Sequence, residues 1–237
     1  MIAFNQVEAL SFDCYGTLID WEQGIIDVLR GLTERQSGEV SDDRILQAFA
    51  EAEARTEQEY PTAPYREILR ITYHLIAPPL GLSPSDLDAK KFAGSVGRWP
   101  AFGDTREALS RLQSRFQLLV LSNVDYVSFA ATQRQLGINF AAVITAEDVG
   151  AYKPDHRMFE RLFETAGTLG IERPRLVHVA QSLYHDHVPA KQLGMQTVWV
   201  NRRLGKRGTG ATRPPSTVVM PDLTVTSLAE LADHIGL

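Results

Sequence analysis

The chain has 237 residues, enough for one large domain or for a core with a smaller companion. With 44% hydrophobic and 22% charged residues and a formal net charge of -5, it carries no basic block of the kind that binds nucleic acid. No apolar run is long enough to cross a bilayer and no Lys/Arg-led signal segment opens the chain, so no membrane partner and a cytoplasmic location are expected. The lone cysteine, Cys14, excludes an internal disulfide and suits a reducing compartment. Strand alternation turns it away from its neighbour Asp13, as a packed thiol. The short cluster Arg202, Arg203, Lys206, Arg207 and Arg213 is mixed with Gly and Thr and reads as a solvated loop.

Taken in chain order, the first strand is expected over Val7–Asp13, delivering the carboxylate of Asp13 into a turn that contains Gly16. Nearly eighty residues without a convincing strand follow. Their apolar stripes at Ile25, Ile26, Leu29 and Leu32, at Ile45, Leu46, Phe49 and Ala52, and around Ile68–Ile76 have helical spacing. Ser41-Asp42-Asp43 and Ser83-Pro84-Ser85-Asp86 offer caps for two of these helices. This insertion far exceeds an ordinary strand-to-helix connection and predicts a helical cap, residues 19–96, closing over a core made of residues 1–18 and 97–237. The stripes look like more than a small cap can bury alone, which points to a homodimer through the cap.

The return to the core passes Trp99-Pro100, and further strands are expected at Gln117–Ser122, Ala142–Thr145, Arg175–Ala180 and Gln196–Val200, with a weaker one at Ser216–Met220. Helical stretches at Ser128–Leu136, Asp155–Ala166, His187–Leu193 and around Leu228, Leu231 and Ile235 alternate with them. The fold class is therefore α/β: a doubly wound, mostly parallel sheet with an inserted helical cap.

Polar residues gather where these strands end. Ser122 and Asn123 close the second, Lys153 precedes the helix begun by Pro154-Asp155, and Gln181-Ser182-Leu183-Tyr184-His185-Asp186-His187 follows the fourth. A carboxylate such as Asp13 can be held by turn amides and attack an electrophile, and a lysine can balance its charge. The histidines His178, His185 and His187 match no compact metal-ligand spacing, and no Gly-x-Gly-x-x-Gly turn follows the first strand, which disfavours a nucleotide cofactor.

Phe12-Asp13-Cys14-Tyr15-Gly16-Thr17-Leu18, Leu121-Ser122-Asn123, Tyr152-Lys153-Pro154-Asp155 and Ser182 through Asp186, in this order and with the insertion after the first motif, resemble the haloacid dehalogenase superfamily and within it the 2-haloacid dehalogenase branch. The resemblance implies Asp13 as nucleophile, Lys153 as its counter-charge, Thr17, Ser122 and Asn123 as orienting groups, and Asp186 as holder of Lys153 or activator of water. Phosphatase relatives carry acids at the positions of Tyr15 and Gln181. Tyr is a far weaker acid, and Gln adds no charge for a hard cation, so no cofactor is expected, with magnesium needed only under a phosphatase alternative. The chain departs from the dehalogenase pattern at Gln181, Leu183 and Phe159, and the branch's cap arginine falls near Ala54, one place from Arg55. Tyr15, Arg55, Tyr60, Trp99, Gln181 and Ser182 are the expected contacts to a small carboxylate substrate. Hydrolysis of a 2-haloalkanoic acid through an aspartyl ester leads; a phosphatase or other hydrolase, and a binding protein that has lost turnover, stand as alternatives.

Overall fold

The computed structural model describes residues 2–36, 38–206, 208–215 and 217–237. Six short strands, β1 (Ala9–Phe12), β2 (Gln117–Ser122), β3 (Ala142–Thr145), β4 (Leu176–Ala180), β5 (Gln196–Val200) and β6 (Leu223–Val225), form one sheet. Their order is β3-β2-β1-β4-β5-β6 and every neighbouring pair is parallel. All of β1 and β4 is buried, which is why these strands read as continuous apolar runs without alternation.

Between β1 and β2 lie five helices: α1 (Trp21–Gln36), α2 (Asp42–Glu59), α3 (Tyr65–Ile76), α4 (Asp86–Ala93) and α5 (Thr105–Gln113). The first four carry the insertion. Ser41 caps α2 by accepting from the Arg44 amide, and Ser85 caps α4 by accepting from the Asp88 amide. Helices α6 (Tyr126–Leu136), α7 (Ala146–Val149), α8 (His156–Thr168), α9 (Val188–Gln192) and α10 (Leu228–Ile235) complete the chain, α9 being preceded by a wide π-turn over Leu183–His187.

Ile25, Leu29, Phe49, Ile68, Leu69, Tyr73 and Phe92 are all fully buried within the single chain. Phe49 meets Trp21 and Phe92 edge-on, with ring centroids 5.7 and 6.1 Å away. The stripes thus pack largely against one another within the chain. Chain passes between insertion and core are pinned side by side: Asp20 N donates to Pro100 O at 2.7 Å and Phe102 N to Leu18 O at 3.1 Å. Gly24 lies under Trp99 at this crossing, where a Cβ would sit 2.2 Å from the indole.

Two expectations are corrected. The sixth strand forms at Leu223–Val225, where Val225 is buried and pairs with Val200, not at Ser216–Met220. Ser216 is outside the described residues; Val218 and Met220 are exposed, in a segment flanked by Pro215 and Pro221, which cannot donate to a ladder. The basic cluster is not simply solvated either. Arg202 lies over the Phe102 ring and pairs with Asp104 at 2.8 Å, and Arg203 pairs with Glu22, while Arg207 falls outside the described residues.

Candidate active site

The sheet reverses direction of growth at β1 and β4, and a doubly wound sheet opens a crevice beyond the carboxyl ends of strands at such a point. Asp13 leaves β1 there, its amide still donating to Val179 O at 3.1 Å. The chain then turns sharply, with Leu18 N donating to Cys14 O at 2.8 Å. Gly16 makes the turn with φ +97°, a conformation that side chains resist. Cys14 is buried, and burial pushes its thiol well up, so it is a packed thiol.

Three segments far apart in sequence converge on Asp13. Thr17 Oγ1 donates to Asp13 Oδ2 at 2.6 Å and accepts from the Gln181 amide at 2.9 Å. Lys153 Nζ donates to Asp13 Oδ1 at 2.8 Å, to Asp186 Oδ1 at 2.7 Å and to Leu121 O at 2.9 Å, using all three of its hydrogens. Asp186 Oδ1 also takes a hydrogen bond from His178 Nε2 at 3.0 Å, and Ser11 Oγ lies 2.9 Å from His178 Nδ1. Asn123 braces the lysine's backbone, accepting from Lys153 N at 2.6 Å and donating to Lys153 O at 3.1 Å.

Burial raises the Asp13 carboxyl above its ordinary range, opposed by the Lys153 ammonium and the Thr17 hydroxyl. Burial also works against Asp186, but Lys153 and His178 outweigh it and hold Asp186 well below its usual value. The two carboxylates in turn lift Lys153, whose own burial acts the other way. The centre is a buried triad of two carboxyl groups bridged by one ammonium. One carboxylate oxygen, Asp186 Oδ2, and one hydroxyl, Ser122 Oγ, are buried with no hydrogen-bond partner.

A cavity of about 410 Å³, including the part that opens to solvent, lies over the triad. Asp13, Tyr15, Ser122, Asn123, Lys153, Ser182 and Asp186 line it, as does His185. Ser182 Oγ accepts from the His185 amide at 2.9 Å, and burial takes the His185 imidazole down to about 4. Thr17 acts one layer down, through Asp13. Tyr15 reaches Thr132 Oγ1 at 2.8 Å and stands edge-on to Trp99.

Four expected substrate contacts do not reach this cavity. The Arg55 side chain is 64% exposed and paired with Glu59 at 2.7 Å on the outer face of α2. One residue is about 100° of helix, so the buried position belongs to Ala54 and its neighbour turns to solvent. Tyr60, at the end of α2, is exposed. Trp99 is buried beneath Tyr15 and donates to Ser95 Oγ at 2.9 Å, a crossing anchor and not a cavity wall. Gln181 turns its side chain into a separate cleft shared with Asp20, Phe102 and Arg202, while its carbonyl accepts from Trp199 Nε1 at 2.9 Å.

Other residues stand where those contacts were expected. Glu53 and Glu57 of α2, with Trp21, Tyr65, Val124 and Thr212, complete the lining. Both glutamates are buried, 4% and 7% exposed, and Tyr65 Oη donates to Glu53 Oε1 at 2.7 Å. A readable signal existed. Positions 49, 53 and 57 share one helical face, so the apolar stripe that includes Phe49 runs directly into the two glutamates.

Magnesium, used by metal-dependent proteins of this fold, is poorly matched by these residues. The Lys153 ammonium already bridges the two carboxylates, the Tyr15 hydroxyl is engaged with Thr132, and Gln181 faces away. Among the described residues no cluster of three or more His, Cys, Asp or Glu side chains is arranged to hold a metal. Nor, among them, is any helix long and apolar enough to cross a membrane.

Comparison with known proteins agrees with the geometry. The haloacid dehalogenase-like hydrolase family matches residues 7–179, and the chain belongs to it. It is 26% identical over 212 residues to (S)-2-haloacid dehalogenase H-109 of Pseudomonas putida, covering 83% of this chain and 87% of that protein. L-2-haloacid dehalogenase from Xanthobacter autotrophicus, solved with chloropropionic acid covalently bound, superposes with a TM-score of 0.78 at 20% identity, over 97% of this chain and 98% of that one. The HAD-hydrolase YfnB of Bacillus subtilis, solved bound to magnesium, superposes with a TM-score of 0.77 at 18% identity, over 98% and 99% of the two chains. At these identities the structural likeness is one of fold. The chain is a member of this hydrolase family, related at low identity to 2-haloacid dehalogenases.

Proposed function

We propose that the chain hydrolyses a bond between carbon and a leaving group such as halide, with Asp13 as nucleophile and without magnesium. The observation that carries this is the Asp13 carboxylate, buried at the cavity floor and held 2.8 Å from Lys153 Nζ. A carboxylate is a weak nucleophile in water, and desolvation under a cap strengthens it. One Asp13 oxygen attacks the substrate carbon, the carbon–halogen bond breaks, and halide leaves with the bonding pair. Lys153 is then left facing an ester in place of a carboxylate, so it stabilises Asp186 alone. Water adds to the Asp13 carboxyl carbon, the acyl–oxygen bond breaks, and an alcohol departs as the carboxylate re-forms with release of one proton. Asp186 Oδ2, which has no partner, accepts a hydrogen bond from that water, and neutral His185 is the neighbouring base. Asn123 and Thr17 hold the lysine and the aspartate in register throughout.

The decisive measurement is multiple turnover in H₂¹⁸O followed by mass spectrometry of the Asp13 peptide. The expected result is ¹⁸O in Asp13, with halide release unaffected by chelator. Haloalkyl carboxylate, amide and amine substrates are assayed side by side. Absence of label from Asp13 during sustained halide release would sink the mechanism. The unpartnered Ser122 hydroxyl beside Lys153 also favours a second reading, in which a phosphoryl oxygen is bound there. Turnover of p-nitrophenyl phosphate, stimulated by magnesium and without halide release, would establish that reading instead.

A further inference from the structure

The recognition half of the cavity is built for charge of the opposite sign to a carboxylate. Its floor holds Asp13 and Asp186 against one ammonium, and its roof adds Glu53 and Glu57 from adjacent turns of α2. Among the described residues no arginine lines the cavity, and Lys153 has no hydrogen left to donate. The nearby guanidinium groups are committed elsewhere: Arg55 to Glu59, Arg66 to Asp125, and Arg157 to Asp155. Arg213 acts on His185 through space but does not line the cavity. Among the described residues, a substrate carboxylate would meet four acidic side chains, with Lys153 as the one lining cation and already bridging two of them.

We propose that Glu53 and Glu57 are specificity-determining residues that select a small ammonium-bearing substrate, a primary amine with a leaving group on a carbon within reach of Asp13, over a haloalkanoate. The assignment rests on the reading of this cavity as the pocket of the Asp13 reaction. Two glutamates buried together are unfavourable unless something compensates them; Tyr65 donates to Glu53, and the Asn123 amide and the Lys153 charge ease Glu57, but no cation sits between the pair among the described residues. An ammonium group between them supplies up to three donors and the missing charge. Independently, Ser122 Oγ is completely buried, lines the same cavity and has no partner, so the pocket floor still lacks a polar group that a ligand would bring. Burial raises both glutamates, Glu53 to about 7, and an ammonium guest beside them acts in the opposite direction, favouring their charged forms. Binding of a cation is thereby coupled to proton release, and binding of a carboxylate to proton uptake.

The test uses unreactive ligands, so it does not depend on turnover. Propylammonium, propionamide and propionate are titrated into the whole protein by calorimetry near neutral pH, in two buffers of different ionisation enthalpy. Propylammonium is expected to bind about tenfold or more tighter than propionate, with net proton release. Glu53→Gln and Glu57→Gln, both close in shape to the parent residue, should each weaken propylammonium by about tenfold while leaving propionamide within about twofold. Propionate binding as tightly as propylammonium, no detectable propylammonium binding, or ammonium affinity unchanged in both variants would each overturn the assignment. Propionate binding that is lost in Arg213→Ala would identify that arginine as the true recognition group. The ¹⁸O result is separate: ligand selectivity can fail while Asp13 is labelled, and labelling can fail while selectivity holds.

Discussion

Asn123 and Lys153 clasp each other through one side-chain amide, which takes the lysine's N–H at 2.6 Å and gives its own N–H to the lysine's carbonyl at 3.1 Å. The contact fixes the backbone from which the ammonium reaches 2.8 Å to Asp13. Asn123→Ala should therefore act through Lys153. The expected outcome is about tenfold to hundredfold lower turnover, with stability lower by on the order of 1–3 kcal/mol. Asn123→Asp keeps the acceptor, loses the donor and adds a charge, and it should be no better. Turnover kinetics beside chemical denaturation checks both.

Lys153→Met leaves Asp13 and Asp186 buried with no cation between them, a loss on the order of 3–5 kcal/mol at neutral pH. Asp186 is depressed in the folded protein, so its stabilisation is present above its unfolded value of 3.8 and fades as pH falls through the lower folded value. The cost of Lys153→Met should accordingly shrink in acid, where the carboxylates take up protons. Denaturation of the wild type and variant from pH 7 down to about 2 measures this, and an unchanged difference across that range would contradict the charge pairing of Lys153 with Asp186.

Glu53 predicts the opposite slope. Its folded value is raised from 4.5 to about 7 by burial, so the folded state holds a proton that the unfolded state releases. Stability from this group is complete below the unfolded value and is lost as pH rises through the folded one, by on the order of 3 kcal/mol. Glu57, Tyr65, Asp13, Asp186, Lys153 and His185 share the cavity and shape the same titration. Glu53→Gln should flatten the decline between about pH 4.5 and 7, read as the difference between the two stability curves.

Gly24→Ala should be costly although alanine is the better helix former. The added Cβ would lie 2.2 Å from the Trp99 indole, at the crossing that ties the insertion to the core. Overpacking of this kind costs about 1–3 kcal/mol or more. A denaturation midpoint equal to that of the wild type would show that the ring gives way freely.

Arg55→Ala is the complementary control. Its pair with Glu59 is solvent-exposed and its side chain is outside the cavity, so stability should change little and turnover and KM for any substrate should be unchanged.

The buried strands and the floor of the site were legible because each rests on a local signal. An apolar run ending in Asp13, Ser122 or the segment before Asp186 marks a strand whose carboxyl end faces the crevice. The roof was harder to read. Arg55 attracts attention as a cation, yet one step around α2 separates solvent from interior, and only the register from Phe49 to Glu53 to Glu57 shows which side is which. Trp99 and Gln181 belong to crossings and clefts whose partners, Gly24 and Arg202, lie 75 and 21 residues away, beyond any local pattern. The apolar stripes were read correctly as helices, but periodicity alone does not say whether their partner is a neighbouring helix or a second chain.

Arg202 holds the Thr17 carbonyl from 185 positions away, and Lys153 reaches Asp13 from 140. The Asp104 that pairs with Arg202 also receives the Leu228 and Ala229 amides at the start of α10. Asp13 thus depends for most of its surroundings on segments far along the chain from it. Until those distant segments have folded back, Asp13 is a hydrated carboxylate with no ammonium beside it. The charged cluster around Asp13 accordingly assembles only when these long loops close, contacts of the kind that slow folding.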